Sequence, residues 1–147
     1  MLPKHHFLLG LVFSFIILLI FPQIRFMGAL LILLSSFLID VDHYIYYVCK
    51  KRDLNLRRAY LWFIERDKKI LKLNKEQRIN VSEVFCFLHG AEMLIILYLL
   101  GIFVHQYFLF VFIGITFHIF LDVLNTILYS TSFARFSLLY TFLNNKE

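Results

Sequence analysis

Three pairs of ionisable side chains interrupt stretches of sequence that are otherwise apolar. The pairs are Asp40 with His43, His89 with Glu92, and His118 with Asp122. Residues three or four positions apart share one face of a helix, so each pair would present an imidazole and a carboxylate to the same side. Mixed nitrogen and oxygen donors suit zinc, manganese or iron, whereas oxygen-only sets suit magnesium and calcium. The spacing therefore predicts a divalent metal site.

The elements that carry these pairs have the composition of a membrane protein. Hydrophobic residues make up 61% of the 147-residue chain, against roughly 45–50% in soluble domains. Charge-poor runs predict four membrane helices, at about 5–22, 26–48, 84–104 and 107–129, because a crossing takes about 20 residues. The second run reaches that length only by continuing through the sequence DVDH, so the acidic motif belongs to the helix or to its end.

The first run has no small-residue cleavage site after its apolar core, which predicts a retained helix and not a removed signal peptide. Cys49 and Cys86 show neither a disulfide spacing nor a zinc-clip spacing, which leaves them as buried or interfacial thiols.

Basic residues concentrate in the segment between the second and third predicted helices. Residues 49–80 hold eleven of the fifteen Lys and Arg, with four acids. The positive-inside rule places loop 49–83 and both termini in the cytoplasm. The expected fold is thus all-α: one membrane-embedded domain, residues 1–147, forming an antiparallel four-helix bundle in the cell's inner membrane. Because topology accounts for the basic patch, no nucleic-acid role is predicted, and the oligomeric state is left open.

Within the loop, residues 57–78 mix apolar and basic side chains at roughly helical spacing. Two interpretations fit this pattern. One is an amphipathic helix lying at the interface on anionic lipid head groups. The other is a solvated loop whose charges only set the topology.

The depth of the ionisable residues suggests that they gather in one place. At about 1.5 Å per residue, the imidazoles and carboxylates lie between the cytoplasmic rim and roughly 18 Å below it. The outer half of the four runs carries no ionisable group, which predicts a single polar cavity that opens to the cytoplasm. Asp42 would point away from this cavity on a continuous helix, so either the helix breaks there or Asp42 supports the ligands from outside.

Several kinds of site remain open at this stage. Isolated His–Asp pairs on membrane helices often form structural hydrogen bonds, and haem needs only two facing histidines. Chains of carboxylates and histidines also build proton or cation paths. Three pairs at a similar depth favour one or two metal ions, and two ions about 3.5–4 Å apart would suit phosphoester hydrolysis.

Four short motifs resemble those of the YdjM-like inner-membrane metal-dependent hydrolases. The matching pieces are HFLLG at His6–Gly10, DVDH at Asp40–His43, LHGAE at Leu88–Glu92 and HIFLD at His118–Asp122. They occur in the order that the family shows. The chain has Ile39 where the family often has proline and Gly90 where it usually has serine, and it lacks the H-R-G segment of many members. The resemblance implies a metal-dependent hydrolase.

Taken together, the residues and the resemblance predict a cytoplasm-facing enzyme that cleaves an ester, with a lipid phosphoester as the expected substrate. The expected metal ligands are His6, Asp40, His43, His89, His118 and Asp122, with zinc ahead of manganese or iron. Glu92 is the predicted general base or bridging carboxylate, with Asp42 as a second catalytic or supporting carboxylate. Arg57, Arg58 and Asn125 are predicted to bind substrate. The rival functions are a metal or proton transporter and a metal-stabilised scaffold without catalysis.

Overall fold

The computed structural model describes residues 3–79 and 87–129, and every regular element in these two ranges is helical. The elements are α1 (Pro3–Ile20), a short 3-10 turn (Pro22–Ile24), α2 (Arg25–Leu38), α3 (Val41–Lys51), α4 (Leu56–Lys72), α5 (Lys75–Ile79), α6 (Ala91–Phe103) and α7 (Tyr107–Tyr129). The predicted all-α class is confirmed for this part of the chain.

A local break separates α2 from α3 at the DVDH motif. Ile39 and Asp40 keep right-handed helical backbone angles. The His43 N–H, however, bonds to the Asp40 carbonyl three residues back, at 3.1 Å. A bond of this type tightens the turn relative to an α-helix, so the residues that follow are rotated from the directions expected for a continuous helix. Asp42, which lies inside this turn, is buried, at 1% exposure.

The chain divides into two compact units, and the single membrane-embedded domain expected from the sequence stays a prediction. The first unit comprises Met1–Ile39 and Ala91–Val123, and the second comprises Asp40–Gly90 and Leu124–Glu147. The boundaries of the second unit at Asp40 and Gly90 coincide with the α2–α3 break and with the non-helical residues that precede α6. Breaks of this kind are not visible in a pattern of hydrophobicity.

Small residues bring the helices of the first unit close together. A Cβ on Gly10 of α1 would meet the Ser36 side chain of α2, and a Cβ on Gly114 of α7 would meet the Ser35 side chain and the Ile32 backbone. Helices that approach at small residues gain van der Waals contact along their backbones. Both α1 and α7 therefore pack closely against the last turns of α2.

The second unit is organised around the turn between α3 and α4. Arg52 adopts a left-handed conformation at the end of α3, with φ of 53°. Asp53 then accepts hydrogen bonds from the Asn55 N–H at 3.0 Å and the Tyr47 hydroxyl at 2.9 Å, and it pairs with Arg58. The backbone donor, followed by the tyrosine hydroxyl, lowers the pKa of the Asp53 carboxyl. This turn fixes the start of α4 relative to α3.

Among the described residues, two helical stretches are long and apolar enough to span a membrane, by length and composition. They are Pro22–Lys51, counted through the break, and Tyr107–Leu128, with mean hydropathies of 2.0 and 2.1. The apolar helices Lys4–Ile20 and Ala91–Phe103 are shorter. The third predicted helix, 84–104, is observed from Ala91, after a turn at residues 87–90, and residues 80–86 lie outside the described ranges.

Candidate metal centres

Three residues of the first unit form a group that we call the first triad: His6 of α1 with His118 and Asp122 of α7. Nε2 of His6 lies 3.3 Å from Oδ1 of Asp122, and Nε2 of His118 lies 3.3 Å from Oδ2. The two imidazole rings stack with centroids 3.9 Å apart. One carboxylate thus faces two imidazole nitrogens.

The orientation of His118 is fixed from behind by the backbone of α2. Its Nδ1 lies 2.7 Å from the Ser36 carbonyl oxygen, and both groups are buried. A carbonyl can only accept a hydrogen bond, so Nδ1 carries the proton and Nε2 keeps its lone pair for the triad. Metal-binding histidines in proteins generally use one ring nitrogen in this way.

The first triad fits a metal ion by two observations. His6 is fully buried, and neither of its ring nitrogens has a hydrogen-bond partner within the described part of the chain. Nε2 of His6 lies beside the Asp122 carboxylate without forming a well-aligned hydrogen bond, and a cation between them would satisfy this nitrogen. In addition, a tetrahedral ion with bonds of about 2.0–2.2 Å separates its ligand atoms by about 3.3–3.6 Å, and the Nε2–carboxylate separations of 3.3 Å match this value.

The second unit contains a second triad, formed by Asp40, His43 and His89. Oδ1 of Asp40 lies 3.6 Å from Nδ1 of His43 and 3.8 Å from Nε2 of His89. The imidazole rings meet edge to face at 5.1 Å, and the His43 ring also contacts Phe63 of α4. The His43 side chain is 32% exposed, in contrast to the fully buried histidines of the first triad.

Asp42 supports both histidines of the second triad. Its Oδ1 accepts a hydrogen bond from Nδ1 of His43 at 3.0 Å, and its Oδ2 accepts one from Nδ1 of His89 at 2.9 Å. The Leu88 N–H adds a third donor at 3.2 Å. A carboxylate that accepts from a ligand histidine fixes its tautomer and raises its basicity, and here His89 is left with Nε2 facing Asp40.

The second triad fits a divalent ion by charge as well as by donor type. Asp40 and Asp42 place two carboxylates beside two imidazoles. Within a candidate membrane span, a bound cation would offset the cost of burying these charges. Nε2 of His89 lies 3.8 Å from Oδ1 of Asp40. Nδ1 of His43 donates to Asp42, so His43 would bind an ion through Nε2.

All six predicted ligands fall within these two groups, which could each hold a metal ion. One group lies in each compact unit, and the single cavity expected from the sequence stays a prediction. His89 also lies in a turn before α6 and not on the helix itself. Asp42 contacts the Leu88 N–H in this turn, and His89 and Glu92 therefore do not share a helix face.

The remaining predicted site residues lie outside both triads. Glu92 is half-buried in the first turn of α6. Arg57 and Arg58 are exposed at the start of α4, and Arg58 pairs with Asp53 at 3.3 Å. Asn125 is half-buried on α7, three residues after Asp122. Their proposed roles in catalysis and substrate binding stay predictions.

Sequence reasoning did not predict the groups of α2 that orient the first triad. The Ser36 carbonyl is a backbone atom, which no side-chain pattern reports. The small residues that allow the approach of the helices were visible, since Gly10 and Gly114 stand opposite the Ser35–Ser36 pair. Pairing glycines with serines on another helix requires the packing, which the sequence does not supply.

Comparison with known proteins provides no assignment. No protein-family model matches the chain, and neither a curated protein nor a solved structure matches it.

Proposed function

We propose that the protein is a membrane-embedded, metal-dependent hydrolase in which each triad binds one divalent ion, zinc ahead of manganese or iron. The observation that carries the proposal is the geometry of the first triad, in which Nε2 of the buried His6 and Nε2 of the buried His118 each lie 3.3 Å from an oxygen of Asp122. The second triad supplies the same donor types with an additional carboxylate behind them. The resemblance of the four motifs to YdjM-like hydrolases supports the same class.

The proposed setting is the inner membrane, crossed by four helices with the basic loop and both termini in the cytoplasm. Two helical stretches with the required length and hydropathy support this topology, together with the excess of basic residues in the segment that follows the first of them. The α1 and α6 helices would complete the bundle, α6 with the residues that precede it in the chain.

The second triad is the better candidate for the reaction because the side chain of its His43 is 32% exposed. A bound divalent ion lowers the pKa of water and polarises a phosphoryl oxygen. The residues of the chain would hold and orient this ion. Asp42 fixes one tautomer of His43 and His89, and Asp40 contributes the carboxylate ligand. In the first triad the histidines have no exposed surface, which suits a closed structural site.

The proposed substrate is a phosphoester of a lipid. The basic residues at the start of α4 support this class, since Arg57 is exposed and available to an anionic group. A membrane-embedded site would also meet lipid esters more readily than soluble ones. Glu92, half-buried on α6, is proposed as the general base, and Asn125 as a polar contact to substrate.

Hydrolysis of phosphatidylglycerol and of bis(4-nitrophenyl) phosphate by the purified full-length protein, with zinc or manganese added, tests the proposal. We expect metal-dependent turnover that is lost in Asp40→Ala, and a fall of about 10²–10⁴-fold in kcat in Glu92→Gln. Arg25→Gln, on the exposed start of α2, is the matched control and should retain activity. Ion flux into liposomes without any hydrolysis would contradict the proposal and indicate transport.

A further inference from the structure

The α4 helix presents two different apolar surfaces. One side packs within the second unit: Ala59 is buried, and the Trp62 ring contacts Tyr47 of α3 at 5.8 Å. The other side carries Leu56, Tyr60, Ile64 and Leu71, which follow one another at steps of four or seven residues and so lie on one stripe. Packing against α3 therefore accounts for only one of the two surfaces.

Three of the four residues of the outward stripe are exposed, and Ile64 is half-buried. Leu56 is 68% exposed, Tyr60 is 41% exposed and Leu71 is 44% exposed. Leu54, in the turn before the helix, is 75% exposed and extends the apolar surface. Large apolar side chains that are grouped in this way mark a surface that contacts another protein or a membrane.

Charge indicates what this surface binds. Arg57, Lys68 and Lys72 run along one flank of the stripe, and all three are exposed. Over its whole length α4 carries six basic and two acidic residues. An apolar stripe with a basic flank is the pattern of a helix that lies in the plane of an anionic membrane, with its apolar side chains at the acyl boundary and its cations among the phosphates.

The connection to α3 places α4 at the right level. The candidate span Pro22–Lys51 ends only five residues before α4 begins at Leu56. The intervening turn is fixed by Asp53, through its contacts with Asn55, Tyr47 and Arg58. Close to this turn, the Lys51 ammonium lies 6.0 Å from the centre of the Trp62 ring, and such aromatic and basic groups are enriched at membrane interfaces.

We infer that α4 docks on an anionic phospholipid bilayer through the stripe Leu56, Tyr60, Ile64 and Leu71, with Arg57, Lys68 and Lys72 against the lipid phosphates. This inference rests on the membrane setting proposed above and not on metal binding or hydrolysis. It selects the interfacial helix over the solvated loop, the two interpretations that the sequence leaves open.

The test uses the full-length protein in nanodiscs, with Cys49→Ser and Cys86→Ser as background. An environment-sensitive fluorophore is attached at Tyr60→Cys on the stripe or at Glu65→Cys, an exposed position on a different face of α4. Leu56→Cys provides a second stripe position if the Tyr60 variant folds poorly. Brominated lipids report contact with the acyl region, and iodide reports contact with water.

In discs that contain phosphatidylglycerol, the stripe labels should be quenched by brominated lipid and protected from iodide, and the Glu65 label should show the reverse. Equal iodide quenching at Tyr60, Leu56 and Glu65 would overturn the inference. Retention of the protein in the discs after an alkaline carbonate wash reports the membrane spans separately, so failure of α4 to dock is distinguishable from failure of the membrane setting.

The charge requirement is tested with discs of phosphatidylcholine alone and with a variant that combines Arg57→Gln, Lys68→Gln and Lys72→Gln. Each basic residue near an anionic surface should shift the ratio of docked to undocked helix by about five-fold. We therefore expect brominated-lipid quenching at Tyr60 to fall in both cases. Quenching that is equal in the two lipid compositions would overturn the assignment of an anionic partner.

Discussion

The two triads use the same ligand types in different surroundings. In the first triad the histidines are fully buried and His118 is held by a neutral backbone carbonyl. In the second triad His43 is 32% exposed, and both histidines donate to the carboxylate of Asp42. Burial with a neutral partner favours a closed site that stabilises the fold, whereas exposure with an anionic partner favours a basic, accessible site. The identity of the ligands alone does not distinguish these two roles.

Chelation should separate the triads most strongly. Removing an ion that is present at a thousandfold excess over its dissociation constant lowers the free energy of unfolding by about 4 kcal/mol. We expect the first triad to release its ion more slowly, because its histidines have no exposed surface. When the release of metal to a chromogenic chelator is measured over time, the Asp40→Ala variant should keep the slow phase of release and the Asp122→Ala variant the fast phase. A single phase shared by both variants would contradict the contrast.

Close packing of helices should matter for the first triad and not for the second. Gly114→Ala places a methyl group against the Ile32 backbone, which cannot rotate away, and such overpacking costs about 1–3 kcal/mol. Gly101→Ala, on α6, is the matched control. The added methyl group meets mainly the Leu109 side chain, and α6 carries no residue of the first triad.

Thermal unfolding and metal affinity, measured in both glycine variants, check this prediction. Gly114→Ala should weaken metal binding at the first triad and leave the second triad unchanged. Equal losses in Gly114→Ala and Gly101→Ala would show that the close approach of α7 to α2 does not position His118.

Replacing the supporting carboxylate should weaken the second triad alone. Asp42→Asn removes the charge that His43 and His89 donate to, and loss of such a partner typically lowers metal affinity by about 10–100-fold. The affinity is measured by competition in an Asp122→Ala background, which leaves only the second triad. Ser36→Ala, in an Asp40→Ala background, is the corresponding control, because the first triad uses the Ser36 backbone carbonyl and not its side chain.

Affinity at the second triad that is unchanged by Asp42→Asn would remove Asp42 from its supporting role. A fall of the same size in the Ser36→Ala control would show that the assay reports general destabilisation.

How far the sequence predicts this molecule depends on what each feature requires. Composition and apolar runs suffice for the all-α class, since they depend on local properties. The six ligand positions were accessible because ionisable residues in apolar helices are unusual. Their grouping into two triads was not, because it depends on contacts between residues that are distant in the chain, such as His6 with Asp122 and Asp40 with His89. Depth along an ideal helix contains no information about such contacts.

The smallest expected effect concerns the turn that supports the second unit. The pKa of Asp53 lies below its ordinary value of 3.8, chiefly because the Asn55 N–H bonds to the carboxylate. Its contribution to stability is therefore fully present above pH 3.8 and is lost as the pH falls through the lower pKa of the folded state. Thermal midpoints of metal-free wild type and Asp53→Asn should converge under acid. A constant difference at all pH values would contradict this assignment.

Metal content of the detergent-purified full-length protein tests the central claim most directly. After reconstitution with zinc, manganese or iron, elemental analysis should find two ions in the wild type, one in each triad, and a single ion in either Asp122→Ala or Asp40→Ala. A wild-type protein that retains no metal would contradict the account, and the triads would then be networks of structural hydrogen bonds.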